Sequence, residues 1–395
     1  MKRIIFLILV ITMAACTNNT NKDAATIHRE ILTIDSHTDT PLWFTRSDFD
    51  LAEKHDPMET RSRVDFPRMK EGGLDAIFMA AFVGQGERTD SGNIRAKNRI
   101  DRILDSIHSN VDRYPELAEI ALSPDDAPRL ESKDKIAVYI GIENGYPLGS
   151  DIANMQEFYD KGARYITLCH TKNNDICDSS TDSLEHGGLS NLGEEVVREM
   201  NRLGIMIDVS HASDSSFYDV IALSKDPIIA SHSCARALCD HPRNLSDEML
   251  KVLADKEGVI QVCLLSAYLK EPAPNPQRDS AFDAVREKYN HFRDLTEEEH
   301  KKARKEWYAT DRAYPQKLAT VSDLVDHIDH IVEVAGIDHV GIGSDFDGGG
   351  GLADCYDVSQ MANITEELLR RDYSVDEIQK IWSGNFMRVF NEVNK

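Results

Sequence analysis

Ile136-Ala137-Val138-Tyr139-Ile140-Gly141-Ile142-Glu143 is an apolar run that stops on a carboxylate. Such continuous apolar character describes a strand covered on both faces, as in a parallel sheet flanked by helices. The terminal glutamate leaves that buried strand as a charge, and an isolated buried charge is costly. Glu143 must therefore be paired, protonated or bound to a metal.

Seven similar runs lie outward from this one, giving eight in all: Ile31–Asp35, Leu74–Phe82, Ile136–Ile142, Ala163–Cys169, Ile205–Val209, Pro227–Ala230, Gly258–Leu265 and His339–Gly343. Helix-period stretches separate them, among them Asn93–Val111, Leu192–Leu203, Asp247–Asp255, Val321–Ala335 and Val358–Arg371. Strands alternating with amphipathic helices are repeated βα units. Eight of them predict an α/β fold, a (β/α)8 TIM-like barrel, with a doubly wound open sheet as the alternative if one run is misread. The rhythm breaks at Ser266–Thr320, which opens on the Pro-rich Glu271–Gln277 and continues into the charged, helix-prone Leu295–Trp307. A segment of that length after the seventh strand is an insertion, either a wall or lid at the barrel mouth or a peripheral hairpin.

Polar residues of metal-ligand type follow the strand-like runs. His37 and Asp39 come after the first, Glu143 after the third, His211 after the fifth and His232 after the sixth. His37 and Asp39 are two apart, so an extended chain aims both side chains to one side. Each residue alone reads as an ordinary rim residue. Together at one end of a barrel they describe two divalent cations about 3.5–4 Å apart, with Glu143 able to bridge. Zinc suits this His/carboxylate mixture, and manganese or cobalt also fits it. Asp345, in Gly343-Ser344-Asp345-Phe346-Asp347-Gly348, stands where a proton-shuttling carboxylate belongs, with Asp347 the alternative farther from the strand. The glycines after it match neither dinucleotide nor P-loop order. His170 ends the fourth run and is placed to donate to a developing oxyanion, while Arg243 offers a planar fork for a carboxylate. Lys172, the position for a carbamylated bridge in some barrel hydrolases, lies beyond the strand end, and Glu143 supplies a bridge more simply.

The chain has 395 residues, 45 basic against 68 acidic, for a formal net charge of −23. That balance repels nucleic-acid phosphates, so no nucleic-acid partner is expected. Lys2-Arg3, the apolar Ile4–Met13 and Ala14-Ala15 before Cys16 read as a signal peptide over residues 1–15, too short for a permanent span. Cys16 after the small pair resembles a bacterial lipobox, with Met13 where Leu is more usual. Lipidation there, a polar tether over 16–23 and a single barrel domain over 24–395 with the insertion at about 266–320 follow as expectations. The membrane contact would be through that lipid only, in the bacterial cell envelope, with the leaflet open. Cysteines beyond Cys16 show no zinc-type CxxC spacing and no assignable pairing.

From Ile31 to the C-terminus the chain resembles the membrane (renal) dipeptidase family, a branch of the metal-dependent amidohydrolase-like barrels. The ordered matches are Asp35-Ser36-His37-Thr38-Asp39-Thr40-Pro41, Val64–Arg68 to Gly73, Gly141-Ile142-Glu143, Arg164–Thr171, Gly188–Ser190, Asn201–His211, Ala230–Ser233, Pro242–Asn244, Val321–His330 and Gly341–Gly348. The resemblance implies a binuclear zinc dipeptidase, with a metal-bridging hydroxide attacking the peptide carbonyl. It assigns His37, Asp39, Glu143, His211 and His232 as metal ligands, His170 to the scissile carbonyl, Arg243 and Tyr268 to the substrate carboxylate, and Asp345 to proton transfer. Asn144 stands where the family commonly has glycine. Cys263-Leu264-Leu265 and the insertion depart from animal members and leave substrate range open, including a D-residue at the C-terminal position. The family commonly forms dimers, which makes a homodimer one allowed assembly. The residues also admit an amidohydrolase for N-acyl amino acids or lactones, or a non-catalytic binding lipoprotein.

Overall fold

The computed structural model describes residues 23–46, 49–292 and 295–394; the signal peptide, Cys16 and most of the tether lie outside them. Nine strands form one parallel sheet: β1 Ile34–Thr38, β2 Ala76–Phe82, β3 Ala118–Ile120, β4 Ile136–Glu143, β5 Ala163–Thr167, β6 Met206–Asp208, β7 Ile229–Ser233, β8 Val259–Cys263 and β9 Val340–Gly343. Eight run in the order β1-β2-β4-β5-β6-β7-β8-β9, each parallel to the next. The ring is drawn together at the C-terminal rim, where Thr38 bridges Phe346. There Asp39 N–H donates to the Phe346 carbonyl (2.8 Å) and Asp345 N–H to that of His37 (3.0 Å). The result is the expected (β/α)8 barrel, with all strand ends gathered on one rim.

Side-chain alternation along β4 explains why its last residue faces inward. Ile136, Val138, Ile140 and Ile142 pack outward against the helices, whereas Ala137 and Tyr139 pack inside the barrel. Gly141 shares the inward parity, because a Cβ there would lie 2.1 Å from the Tyr165 ring that crosses the barrel. Glu143 inherits the same direction. Below it Phe78 stacks on Tyr139 and Tyr165 with centroids 4.7 and 5.5 Å apart. Helix Asn385–Val393 stops the opposite end of the barrel, setting Phe386 and Phe390 edge-on to Phe78 at 5.2 and 6.0 Å.

β3 is not foreseen by the sequence. It fills the edge beside the start of β4, since β5 pairs with β4 only from Ile140 onward. Among the described residues the insertion contains the short helix Ser266–Leu269 and two longer helices. Pro276–Lys288 begins with proline in its first turn, where a missing N–H costs nothing, and Asn275 caps it on Arg278 N–H. Glu297–Ala313 follows, and the pair meets through Phe282 and Trp307, centroids 4.3 Å apart. Asp311 ties both to the body, holding Arg61 and Arg278 at 2.7 Å each. Cys169, Cys177, Cys234, Cys239, Cys263 and Cys355 are buried and free. Among the described residues no helix is long and apolar enough to cross a membrane.

Helix Ala24–Glu30 seals the outside of the barrel with a buried imidazole. His28 Nε2–H donates to the Gly72 carbonyl (2.8 Å), and its Nδ1 accepts from Thr365 Oγ1 (2.7 Å), an arrangement that suits the neutral ring. Burial pushes the His28 pKa down to about 4. The unfolded chain therefore binds the extra proton first, and stability is full above about pH 6.5 and falls as pH drops toward 4. The loss from this one ring should be on the order of 3 kcal/mol, read as the difference in slope between the parent chain and His28→Gln in denaturant melts across that range.

Candidate metal centre

At the C-terminal rim the sequence-assigned ligands converge. His37, Glu143 and His232 form one group, Glu143, His170 and His211 a second, and His37, Asp39 and Asp345 a third, with ligand atoms inside each group within 4.8 Å of one another. Glu143 is the shared member of the first two. Its Oε1 lies 3.0 Å from His211 Nε2, 3.6 Å from His232 Nε2 and 3.8 Å from His170 Nε2. Its Oε2 lies 3.8 Å from His37 Nε2. One carboxylate is thus flanked by imidazoles at both oxygens.

The sequence places each ligand just beyond a strand. Glu143 instead ends β4, and His37 and His232 lie inside β1 and β7, where the ladder slips between Asp35 and Thr38 and between Ala230 and Ser233. Those irregularities re-aim the side chains, the common use of a bulge beside a site. His211 and Asp345 lie beyond β6 and β9 on left-handed backbone, φ 72° and 57°, conformations that bulky residues rarely adopt outside functional sites. Asn144 also sits at φ 81°, which explains why a residue tolerant of that region can stand there. Its side chain donates to the Val83 carbonyl (3.0 Å) and accepts from Tyr146 N–H (3.1 Å), fixing the turn after Glu143.

A set of braces behind the ligands is missed by the sequence reading. Tyr165 OH lies 2.8 Å from His37 Nδ1, and Ser231 Oγ lies 2.9 Å from His232 Nδ1, so both rings turn Nε2 toward the centre. Asp208 accepts from Ser231 Oγ (2.6 Å), Ser231 N–H (2.9 Å), Ser210 N–H (3.0 Å) and Thr167 Oγ1 (2.5 Å), binding three strand ends together. Ser210 Oγ takes the His232 N–H at 3.0 Å, and Ser36 Oγ donates to the Ser231 carbonyl at 2.7 Å. A serine precedes each of His37, His211 and His232, and that repeated Ser-His pair is the one signal in the sequence that points to the serine members of these braces.

The donor set fits cations. His37 Nε2 and Asp39 Oδ1 are buried with no hydrogen-bond partner, and His211 Nε2 and His232 Nε2 stand 3.0 Å apart with the Glu143 carboxylate between them and His37. Burial drives His37 down to about 3 and His170 to about 4, and holds His211 and His232 well below their ordinary value, so all four rings are neutral donors of lone pairs. Burial, then repulsion from Asp39 and Asp345, raises Glu143 well above the usual carboxylate range. Burial and Asp347 push Asp39 up to about 7, and burial with Asp39 raises Asp345. Neutral imidazoles around mutually repelling carboxylates form a site that divalent positive charge would relieve.

Asp345 and Asp347 are distinguished by their surroundings. Asp347 has both oxygens engaged, by Thr40 Oγ1 (2.9 Å) and Arg63 N–H (2.7 Å). Asp345 belongs to the cluster with His37 and Asp39. The turn that follows folds onto it, with Gly348, Gly349 and Gly350 N–H all donating to the Asp345 carbonyl at 3.2, 3.0 and 2.7 Å.

Arg243 lies buried behind His232, donating to the His232 carbonyl (3.1 Å) and Ser233 Oγ (3.4 Å), and its Nε has no partner. The Tyr268 ring sits 5.3 Å from this guanidinium. Lys172 is exposed and pairs with Asp182 at 3.5 Å, outside the cluster. A cavity of about 740 Å³ opens beside Asp347, Gly348 and Gly349, with Trp307 and Tyr308 of the insertion on its far wall.

Residues 21–395 match the model of a family described as membrane dipeptidase, peptidase family M19. Dipeptidase aclJ of Aspergillus oryzae is 30% identical over 91% of this chain and 77% of its own length. Dipeptidase 3 of Rattus norvegicus is 31% identical over 95% of this chain and 67% of its own. The crystal structure of the probable dipeptidase PvdM from Pseudomonas aeruginosa superposes with a TM-score of 0.80 at 33% identity, covering 94% of this chain and 97% of that one. A metallopeptidase from Rhodobacter sphaeroides, 20% identical with a TM-score of 0.74 over 92% of this chain and 99% of that one, shares the fold.

Gly348 makes the close carboxylates testable. A Cβ there would fall 2.2 Å from both Asp39 Oδ2 and Asp345 Oδ1. Gly348→Ala should keep the melting temperature near that of the parent chain and weaken divalent-cation binding, measured by equilibrium dialysis, by about tenfold or more.

Proposed function

Because the chain belongs to the membrane dipeptidase family of metal-dependent peptidases, we propose that it hydrolyses dipeptides at the barrel mouth with two zinc ions. His37 and Asp39 would hold one ion, His211 and His232 the other, and Glu143 both. The observation that carries this reading is Glu143, buried with an imidazole set against each of its oxygens. When bound, the ions supply a water of lowered pKa and polarise the peptide carbonyl.

The remaining roles belong to the chain's own side chains. His170, on the Glu143–His211 side of the cluster, faces the position for the scissile carbonyl oxygen and donates to it as charge develops. Asp345 is a buried carboxylate with raised proton affinity, suited to taking a proton from water and delivering it to the leaving amine. The Arg243 fork and Tyr268 hydroxyl take the free C-terminal carboxylate, which restricts substrates to short peptides. Support comes from the guanidinium itself, buried with no ion pair among the described residues and one nitrogen unused. The insertion is the outer wall of the substrate cavity. Acceptance of a D-residue at the C-terminal position, lipid attachment at Cys16 in the bacterial cell envelope and pairing into a homodimer complete the reading.

Glu143→Gln should lower dipeptide turnover by about a thousandfold or more. Near-parental turnover with both ions retained, by metal analysis, would contradict the scheme. Arg243→Ala should raise KM for free dipeptides about tenfold or more and erase discrimination against C-terminally amidated ones. Equal turnover of the two by the parent chain would remove the anchoring role.

A further inference from the structure

Arginines in this acidic chain commonly answer carboxylates, as Arg88 does with Asp175 and Glu185, and Arg371 with Asp326, Asp329 and Glu367. One place reverses the pattern. Helix Asp90–Asp112, the turn after helix Pro41–Phe44 and the outer insertion helix Glu297–Ala313 border an open hollow of about 570 Å³, in which Arg46, Arg99, Arg102 and Lys301 are exposed and Arg304 is half-buried. Its lining includes Arg46, Arg99, Arg102, His300, Lys301 and Arg304, and among the described residues no carboxylate. Among the described residues none of these arginines, nor Lys301, is paired with an acidic group. Glu59 lines the smaller neighbouring cavity that shares Arg46, Lys301 and Arg304.

The spacing makes this costly. Arg99 and Arg102 are three apart on one helix, and Lys301 and Arg304 are three apart on another, so like charges sit side by side along each. Docking the two helices then sets the pairs against each other around a hollow. Partial desolvation lowers Arg46 below its ordinary value, Arg304 and Arg99 add repulsion, and Tyr308 and Asp39 act the other way. A solvated basic face needs no concavity and no convergence from three elements. Planar guanidinium forks match phosphate oxygens in pairs, and several of them match an anion with more than one such group.

We propose that this cavity is a second ligand site, separate from the metal centre, that binds an anion bearing at least two phosphate-type groups through Arg46, Arg99, Arg102 and Arg304. The insertion supplies one of these four arginines together with His300 and Lys301, so building this site is one thing the extra segment does. The phosphates could belong to a soluble pyrophosphate-type compound or to a lipid headgroup.

The test is calorimetric titration of the purified full chain with inorganic pyrophosphate, after chelator has stripped metal so that pyrophosphate does not report on the zinc ligands. Saturable binding is expected, weakened about tenfold or more in Arg99→Gln with Arg304→Gln and unchanged in Arg243→Ala, with melting temperatures near the parent's. Sedimentation with phosphatidylcholine vesicles containing phosphatidic acid separates the sources. Retention that pyrophosphate displaces assigns a lipid headgroup, and saturable pyrophosphate binding without retention assigns a soluble ligand. Absence of saturable binding in both arms, or equal affinity in the double variant, overturns the proposal.

Discussion

Burial of Glu143 among other acids is the constraint on which the rest of this structure depends. Asp39, Glu143 and Asp345 lie together beneath the barrel rim, each with its proton affinity raised first by loss of water and then by a neighbouring carboxylate. The four surrounding imidazoles do not offset this as cations, because the same burial keeps them neutral. An apo barrel therefore stores electrostatic cost at its mouth, and divalent ions convert the cost into affinity. Metal binding and local stability are coupled by that arrangement.

Holding such a cluster requires backbone that comes unusually close. Gly141 lets the Tyr165 ring cross the barrel and reach His37, and Gly343 is in contact with the Ser231 carbonyl, where a Cβ would stand at 2.0 Å. Asp208 and the three serines preceding the ligand histidines then lock the strand ends against each other. Local order at the site comes from these braces as much as from the ligands. The aromatic layer of Phe78, Tyr139 and Tyr165, stopped below by Phe386 and Phe390, is the rigid floor they stand on.

The strands and the convergent side chains were legible because each carries its own signal. Runs such as Ile136–Ile142 are long and apolar, and a histidine or carboxylate near the end of such a run is conspicuous. The structure brings His37, Asp39, Glu143, His170, His211, His232 and Asp345 into overlapping groups, with Arg243 and Tyr268 beside them. β3 went unread because Ala118–Ile120 is too short to show a period. Helix Pro276–Lys288 was hidden by the prolines before it, although proline in a first turn starts a helix as readily as it breaks one. Asp208 was unreadable for another reason: its value lies in register, in meeting Thr167 and Ser231 from adjacent strands.

The insertion shows why local reading has a limit of this kind. Its sequence is a charged helical hairpin, and nothing in Leu295–Trp307 alone separates a wall from a bystander. Docking gives it two different faces. Trp307 and Tyr308 turn toward the cavity beside Gly348, while His300, Lys301 and Arg304, one to two turns earlier on the same helix, meet Arg99 and Arg102. Asp311 fixes that orientation through Arg61 and Arg278. A single helix thus borders the cavity beside Gly348 with its aromatic residues and a cationic hollow with its basic ones.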